Sequence, residues 1–159
     1  MSKPGTSAPT TQQKGDIGAT GAKGGAYGWV RTPEGDAVKY MIMMFGDQNT
    51  MVETKTPDWI RNMIAFMKDL NRELEESGEL VDSQGLVDPS QATTVRFQEG
   101  APIPTDGPFA EAKESLAGYF IIDATDERAM EIASRIVATI EEPIEVRRVA
   151  DAPPEEYTS

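Results

Sequence analysis

The chain of 159 residues contains no cysteine and no histidine. Without cysteine there is no disulfide, no thiolate nucleophile and no sulfur ligand for zinc or an iron–sulfur cluster. Without histidine the commonest general base and the commonest transition-metal ligand are both missing. Proton transfer at neutral pH would fall to a shifted carboxylate, a lysine or a tyrosine. Positive charge is scarce as well. Lys and Arg number 15 against 27 Asp and Glu, a net charge of −12. The central segment, residues 37–150, holds 11 of the basic and 21 of the acidic groups, so the imbalance is its own. A surface of that sign repels phosphate backbones and anionic lipid. Nucleic acid and membrane surfaces are therefore not expected as partners, and the simplest role of the charge is solubility. No apolar run approaches the ~20 residues that span a bilayer, and the N-terminus lacks the apolar core of a secretory signal. The expectation is a soluble, cytoplasmic protein.

What is present divides into three parts. Residues 1–36 are rich in Gly, Ser, Thr, Pro and Ala and poor in large apolar side chains, which predicts a flexible N-terminal extension. Gly15, Gly18, Gly21 and Gly24 fall at every third position, but the triplets are few and hold no proline, so no triple helix is expected. GATGAKGG lacks the Gly-Lys-Ser/Thr ending of a phosphate loop. Tyr27, Trp29 and Val30 are candidates to anchor this extension. Residues 151–159 (DAPPEEYTS) read as an acidic, solvated tail.

Residues 37–150 carry regular patterns. VKYMIMMF at 38–45 reads as a strand apolar on both faces. Thr56 is placed to cap a helix with Pro57 at its first position and Asp58 in its first turn. Its apolar stripe is Ile60, Met63, Ile64, Met67, Leu70 and Leu74, and Gly78 ends it. Residues 79–87 and 93–98 read as strands joined through Asp88-Pro89-Ser90. GYFIID at 118–123 is a second strand apolar on both faces. Thr125 caps a second helix with a stripe of Met130, Ala133, Ile136, Val137 and Ile140, and IEVRRV at 144–149 alternates as a last strand. The order β-α-β-β-β-α-β predicts an α+β, ferredoxin-like antiparallel sheet with two helices on one face, extended by a strand or hairpin near the middle. Two helices cover one face only, while two strands are apolar on both. Each buried side chain of this kind stabilises by roughly 1.5–3 kcal/mol, and an open apolar face is adhesive. The expected cover is the same face of a second copy, a homodimer.

The candidate site is the loop TDGPFAEAKE at 105–114. Asp106-Gly107 is a turn signal, because glycine accepts positive φ and aspartate bonds nearby amides. Pro108 fixes the next φ, and Phe109 is expected to anchor the loop in the core. From the residues alone, Asp106 reads first as a turn former and second as a catalytic group. Lys113 with Glu111 or Glu114 reads as a surface ion pair, and Arg96 as an exposed strand residue. Met41, Met43, Met44, Met51, Met63 and Met67 read first as fillers of core gaps and second as a malleable ligand pocket. Residues 46–55 read as a loop, and Trp59 is expected to pack under it. No spacing of oxygen ligands resembles a calcium loop, and neither a metal nor a cofactor is expected.

KYMIMMFGD at 39–47, ATTVRF with TDGPFAEAKE within 92–114, AGYFIID at 117–123 and the closing EVRRV together resemble the YCII-related proteins of the DGPF type. The resemblance covers roughly residues 38–149, and its specific element is the DGPF loop. It implies a dimeric ferredoxin-like fold, the dimeric α/β-barrel arrangement. DGPF-type proteins are largely without an assigned biochemical role, and some are encoded beside extracytoplasmic-function sigma factors. The wider superfamily includes lyases, isomerases and dehalogenating enzymes acting on small organic acids. The His–Asp pair proposed as catalytic in the YCII branch cannot be carried over to a chain without histidine. What carries over is the loop: Asp106, Gly107, Pro108, Phe109, Glu111, Lys113 and Glu114. This resemblance makes the catalytic reading of Asp106 the equal of the structural one, with Lys113 or Arg96 holding a ligand carboxylate. Three functions follow as expectations: a homodimeric small-molecule-binding or regulatory module, a cofactor-independent lyase or isomerase using Asp106 as acid–base, and a structural dimer whose tails recruit partners.

Overall fold

The computed structural model describes residues 36–110, 114–153 and 155–157. The expected N-terminal extension, with Tyr27, Trp29 and Val30, lies outside the described residues except for Asp36.

The first strand, β1, spans Val38–Phe45. Asp47 then caps a short helix, α1 (Gln48–Thr54), accepting from the Thr50 N–H. The main helix α2 runs Pro57–Ser77. It starts as its sequence dictates: Thr56 accepts from the Trp59 N–H, Pro57 fills the first position, and Gly78 ends it at φ 76°. Next come β2 (Leu80–Gly85), a 3₁₀ turn at Pro89–Gln91, β3 (Thr93–Gln98), β4 (Ala101–Asp106) and β5 (Leu116–Ala124). The helix α3 (Asp126–Ile140), capped by Thr125, and β6 (Ile144–Arg148) complete the fold.

The sheet is antiparallel in the order β2-β5-β1-β6, the ferredoxin-like order. Register decides its faces, because directly opposed residues share a side. Tyr40, Ile42 and Met44 align with Ile122, Phe120 and Gly118 on β5, and with Arg148, Val146 and Ile144 on β6. This is the helix side, where Ile42 and Ile122 are fully buried against Leu70, Leu74, Ile132 and Ile136. Met41 and Met43 align with Ile121 and Tyr119 on the reverse side. Those four are half-buried, while Lys39, Asp123, Glu145 and Arg147 around them are exposed. An ion network fastens the helices together. Arg128 on α3 donates to Glu79 at 2.8 Å and to Glu73 at 3.1 Å, and Arg135 holds Glu73 through both guanidinium nitrogens at 2.8 and 2.7 Å.

Four expectations are corrected. Residues 46–55 hold α1, whose seven residues bury none of their side chains and so show no apolar stripe. The strand expected to reach Val87 ends at Gly85. The apolar stripe of α3 is turned by one position: Ala129, Ile132, Ala133, Ile136 and Ile140 are buried, whereas Met130 and Val137 are exposed. Finally, of the strand or hairpin expected near the middle, the structure has the hairpin, and β3 does not join the main sheet. β3 pairs only with β4, as a separate two-stranded ribbon. Pro102 and Pro104 hid β4 from the sequence reading, since proline cannot donate to a ladder. They lie two residues apart, opposite Phe97 and Val95, and so occupy the side of β4 that turns away from its partner strand.

Candidate functional site

The DGPF loop closes the base of the ribbon. Asp106 is the last residue of β4, opposite Thr93, and it is exposed. Gly107 follows at φ +99°, a conformation glycine adopts without strain. Its N–H donates to the Ala92 carbonyl at 2.7 Å, and its carbonyl accepts from the buried Thr94 hydroxyl at 2.6 Å. The Thr105 hydroxyl donates to the Thr94 carbonyl at 3.1 Å. These bonds fix a turn, as the Asp-Gly signal predicts. Phe109 does not enter the core: it is 60 % exposed, and the Arg96 guanidinium stands 5.4 Å from its ring centre. The half-buried Arg96 is therefore a stacking residue of the ribbon. Pro108 is exposed beside Phe109, and Glu111 and Lys113 lie outside the described residues. The structure thus brings Asp106, Gly107, Phe109 and Arg96 to one place and carries Glu114 elsewhere.

Glu114 lies at the edge of a cavity of about 930 Å³. This cavity sits where β1 ends and β5 begins, between α1, the first half of α2 and the sheet. Its lining does not include Asp106 or Arg96. Backbone makes part of the floor. Gly85 and Gly118 are paired in register, and a Cβ at Gly118 would stand 2.9 Å from the Gln84 carbonyl oxygen and 3.7 Å from Met44 Cε. Trp59, Met63 and Met67 project from α2, and Met51 from α1. With Met44 and Phe120 they give an aromatic and thioether lining. Four of the six methionines singled out in the sequence line this cavity, and three of them, Met44, Met63 and Met67, also pack against the core. Trp59 packs against the core, with the Lys55 ammonium, at the end of the 46–55 segment, 4.9 Å from its ring centre.

The rim is built from caps and straps. The Asp47 carboxylate accepts from the Thr50 N–H at 2.6 Å and from the Thr50 hydroxyl at 2.8 Å. Gln48 donates to the Leu86 carbonyl at 3.2 Å, tying α1 to the segment after β2. Asp88 lies in that segment, 9 % exposed. The Ser90 hydroxyl, the Ser90 N–H and the N–H groups facing it from Asn49 and Gln48 hold its carboxyl below the usual range, although Oδ2 closes no bond of ordinary length. Lys55 reaches Glu142 at 3.6 Å across the rim.

On the reverse face of the sheet, Tyr119 donates to Asp82 Oδ2 at 2.9 Å. That bond pushes the tyrosine up and, with Gln84, holds the aspartate down, so both move away from neutrality. Among the described residues, no group of three or more Asp or Glu side chains is placed to hold a metal ion. No described helix is long and apolar enough to cross a membrane. Sequence reasoning missed the cavity because its lining comes from six separate elements, β1, α1, α2, β2, β5 and the end of α3, with two glycines in the floor. The methionine cluster with Trp59 was the available signal.

Residues 38–153 match the YCII-related domain. An uncharacterised protein of Rhizobium meliloti (strain 1021) is 32 % identical over 96 residues, covering 59 % of this chain and 76 % of that protein.

Proposed function

Because the chain belongs to the YCII-related domain family over residues 38–153, we propose that it is a homodimeric small-molecule-binding module whose site is the cavity beneath α1. The observation that carries this reading is the lining. A concavity of about 930 Å³, walled by methionine and aromatic side chains with polar groups at the rim, has the size and make-up of ligand sites. The dimer rests on the reverse face of the sheet. Met41, Met43, Tyr119 and Ile121 form an apolar centre, and Lys39, Arg147, Asp123 and Glu145 ring it with both signs of charge. That anatomy suits an interface, and it supplies cations where two acidic chains would otherwise repel. A chain without cysteine suits the reducing cytoplasm.

Two measurements test the proposal. Sedimentation equilibrium is expected to find a dimer that Met43→Glu weakens by about 100-fold, the loss typical of a charge placed at an interface centre. Native mass spectrometry of the protein purified from its own cells is expected to show a small-molecule adduct that Met63→Arg abolishes. A monomeric wild type removes the dimer, and an adduct-free chain removes the ligand. The enzymatic alternative places the chemistry on Asp106. Under that reading Asp106→Asn alters the chemical form of the retained molecule, and under the binding reading it leaves adduct and mass unchanged.

A further inference from the structure

The charges around the cavity limit what can enter it. Five charged side chains belong to the lining: Asp47, Lys55, Lys68, Glu114 and Glu142. Both oxygens of Asp47 are occupied by Thr50 as the cap of α1. Lys55 is held between Glu142, at 3.6 Å, and the Trp59 ring. Lys68 and Glu114 are exposed, one of each sign, where water screens them. An anionic ligand would have to displace Glu142 from Lys55 inside a protein of net charge −12. A cationic ligand would have to take Asp47 from the helix it caps or Glu142 from Lys55. Behind this rim the walls are Met44, Met51, Met63, Met67 and Trp59, and the floor is the backbone of Gly85 and Gly118. Thioethers and an indole face offer dispersion and adaptable shape, with no fixed charge.

We propose that the cavity takes an uncharged, largely apolar small molecule, bound by the methionine–tryptophan wall with no ion pair to the protein. This rests on the cavity being the binding site, and the test separates the two claims. The probes are N-phenyl-1-naphthylamine, which is neutral, and 8-anilinonaphthalene-1-sulfonate, the same skeleton bearing a sulfonate. Fluorescence titration of the full-length protein at ~0.15 M salt is expected to show saturable binding of the neutral probe, about tenfold tighter than the sulfonate. Ile64→Glu and Val87→Glu each place a carboxylate on the lining at positions already 44 % and 66 % exposed, so the fold tolerates them. Each is expected to weaken the neutral probe by about tenfold. If the neutral probe does not saturate, or if neither folded variant weakens it, the cavity is not the binding site and both claims fall. If the sulfonate binds as tightly as the neutral probe or more tightly, with both variants weakening the two probes, the cavity stands and the uncharged ligand is overturned.

Discussion

Gly118 shows how much one missing side chain decides. It lies on the helix side of β5, in register with Gly85 and Met44. Any Cβ there would meet the Gln84 carbonyl oxygen at 2.9 Å, and that oxygen belongs to backbone held in the sheet. Gly118→Ala is expected to lower stability by ~1–3 kcal/mol through overpacking, read as a fall in the urea midpoint without a change of slope. A midpoint equal to wild type would mean that the β2–β5 pairing yields at this point. In the sequence, Gly118 stands only as the first residue of an apolar strand. The Asp106-Gly107 pair shows the opposite case. Its turn was legible because turn chemistry is local, down to the positive φ of Gly107. Phe109 was misread as a core anchor because a large aromatic usually buries itself, whereas here its face is covered by Arg96.

Among elements, the joint between α2 and α3 depends on pH. Glu73 is held at about 2 by Arg135 and then Arg128, well below an unfolded value of 4.5. Glu79 is lowered in the same direction by Arg128. A carboxylate with a depressed folded pKa stabilises fully above its unfolded value and loses that contribution as pH falls toward the folded one. The window here is therefore from about 4.5 down to about 2. Urea unfolding over this range should show wild type losing more stability than Glu73→Gln, with the two curves parallel above pH ~5.5. Parallel curves throughout would show that solvent screens the network completely, since the Glu73 side chain is 42 % exposed. The partners of Glu73 are 55 and 62 residues away in the chain, which is why this network was not legible in the sequence. Helix caps were legible: Thr56 and Thr125 do what their positions predict. The phase of α3 was not, because Met130 and Val137 are as apolar as the buried residues beside them. Only packing against the sheet separates the two sets.

For the whole molecule, the four-stranded sheet followed from strands and helices that alternate in a recognisable order. The separate ribbon did not, because two prolines disguised half of it. The reverse face was legible as apolar from β1 and β5, and the proposed dimer follows from it. Association of two chains each at −12 works against their own repulsion. Raising NaCl from ~0.05 to ~0.5 M shortens the screening length from roughly 14 to 4 Å, so the dimer is expected to tighten. Sedimentation at the two salt concentrations checks this. A dimer that loosens with salt would show that Lys39 and Arg147, meeting carboxylates across the rim, outweigh the bulk repulsion.

The ribbon has one more consequence. Val95 and Phe97 display 61 % and 74 % of their surface, on a strand pair with a free border. Such a border would ordinarily invite a passing extended chain to zip alongside and begin a fibril. On β4 the outward donors are gone at positions 102 and 104, so a newcomer finds acceptors without the N–H groups that would complete its ladder. The prolines thus close the β4 border of the ribbon to strand addition.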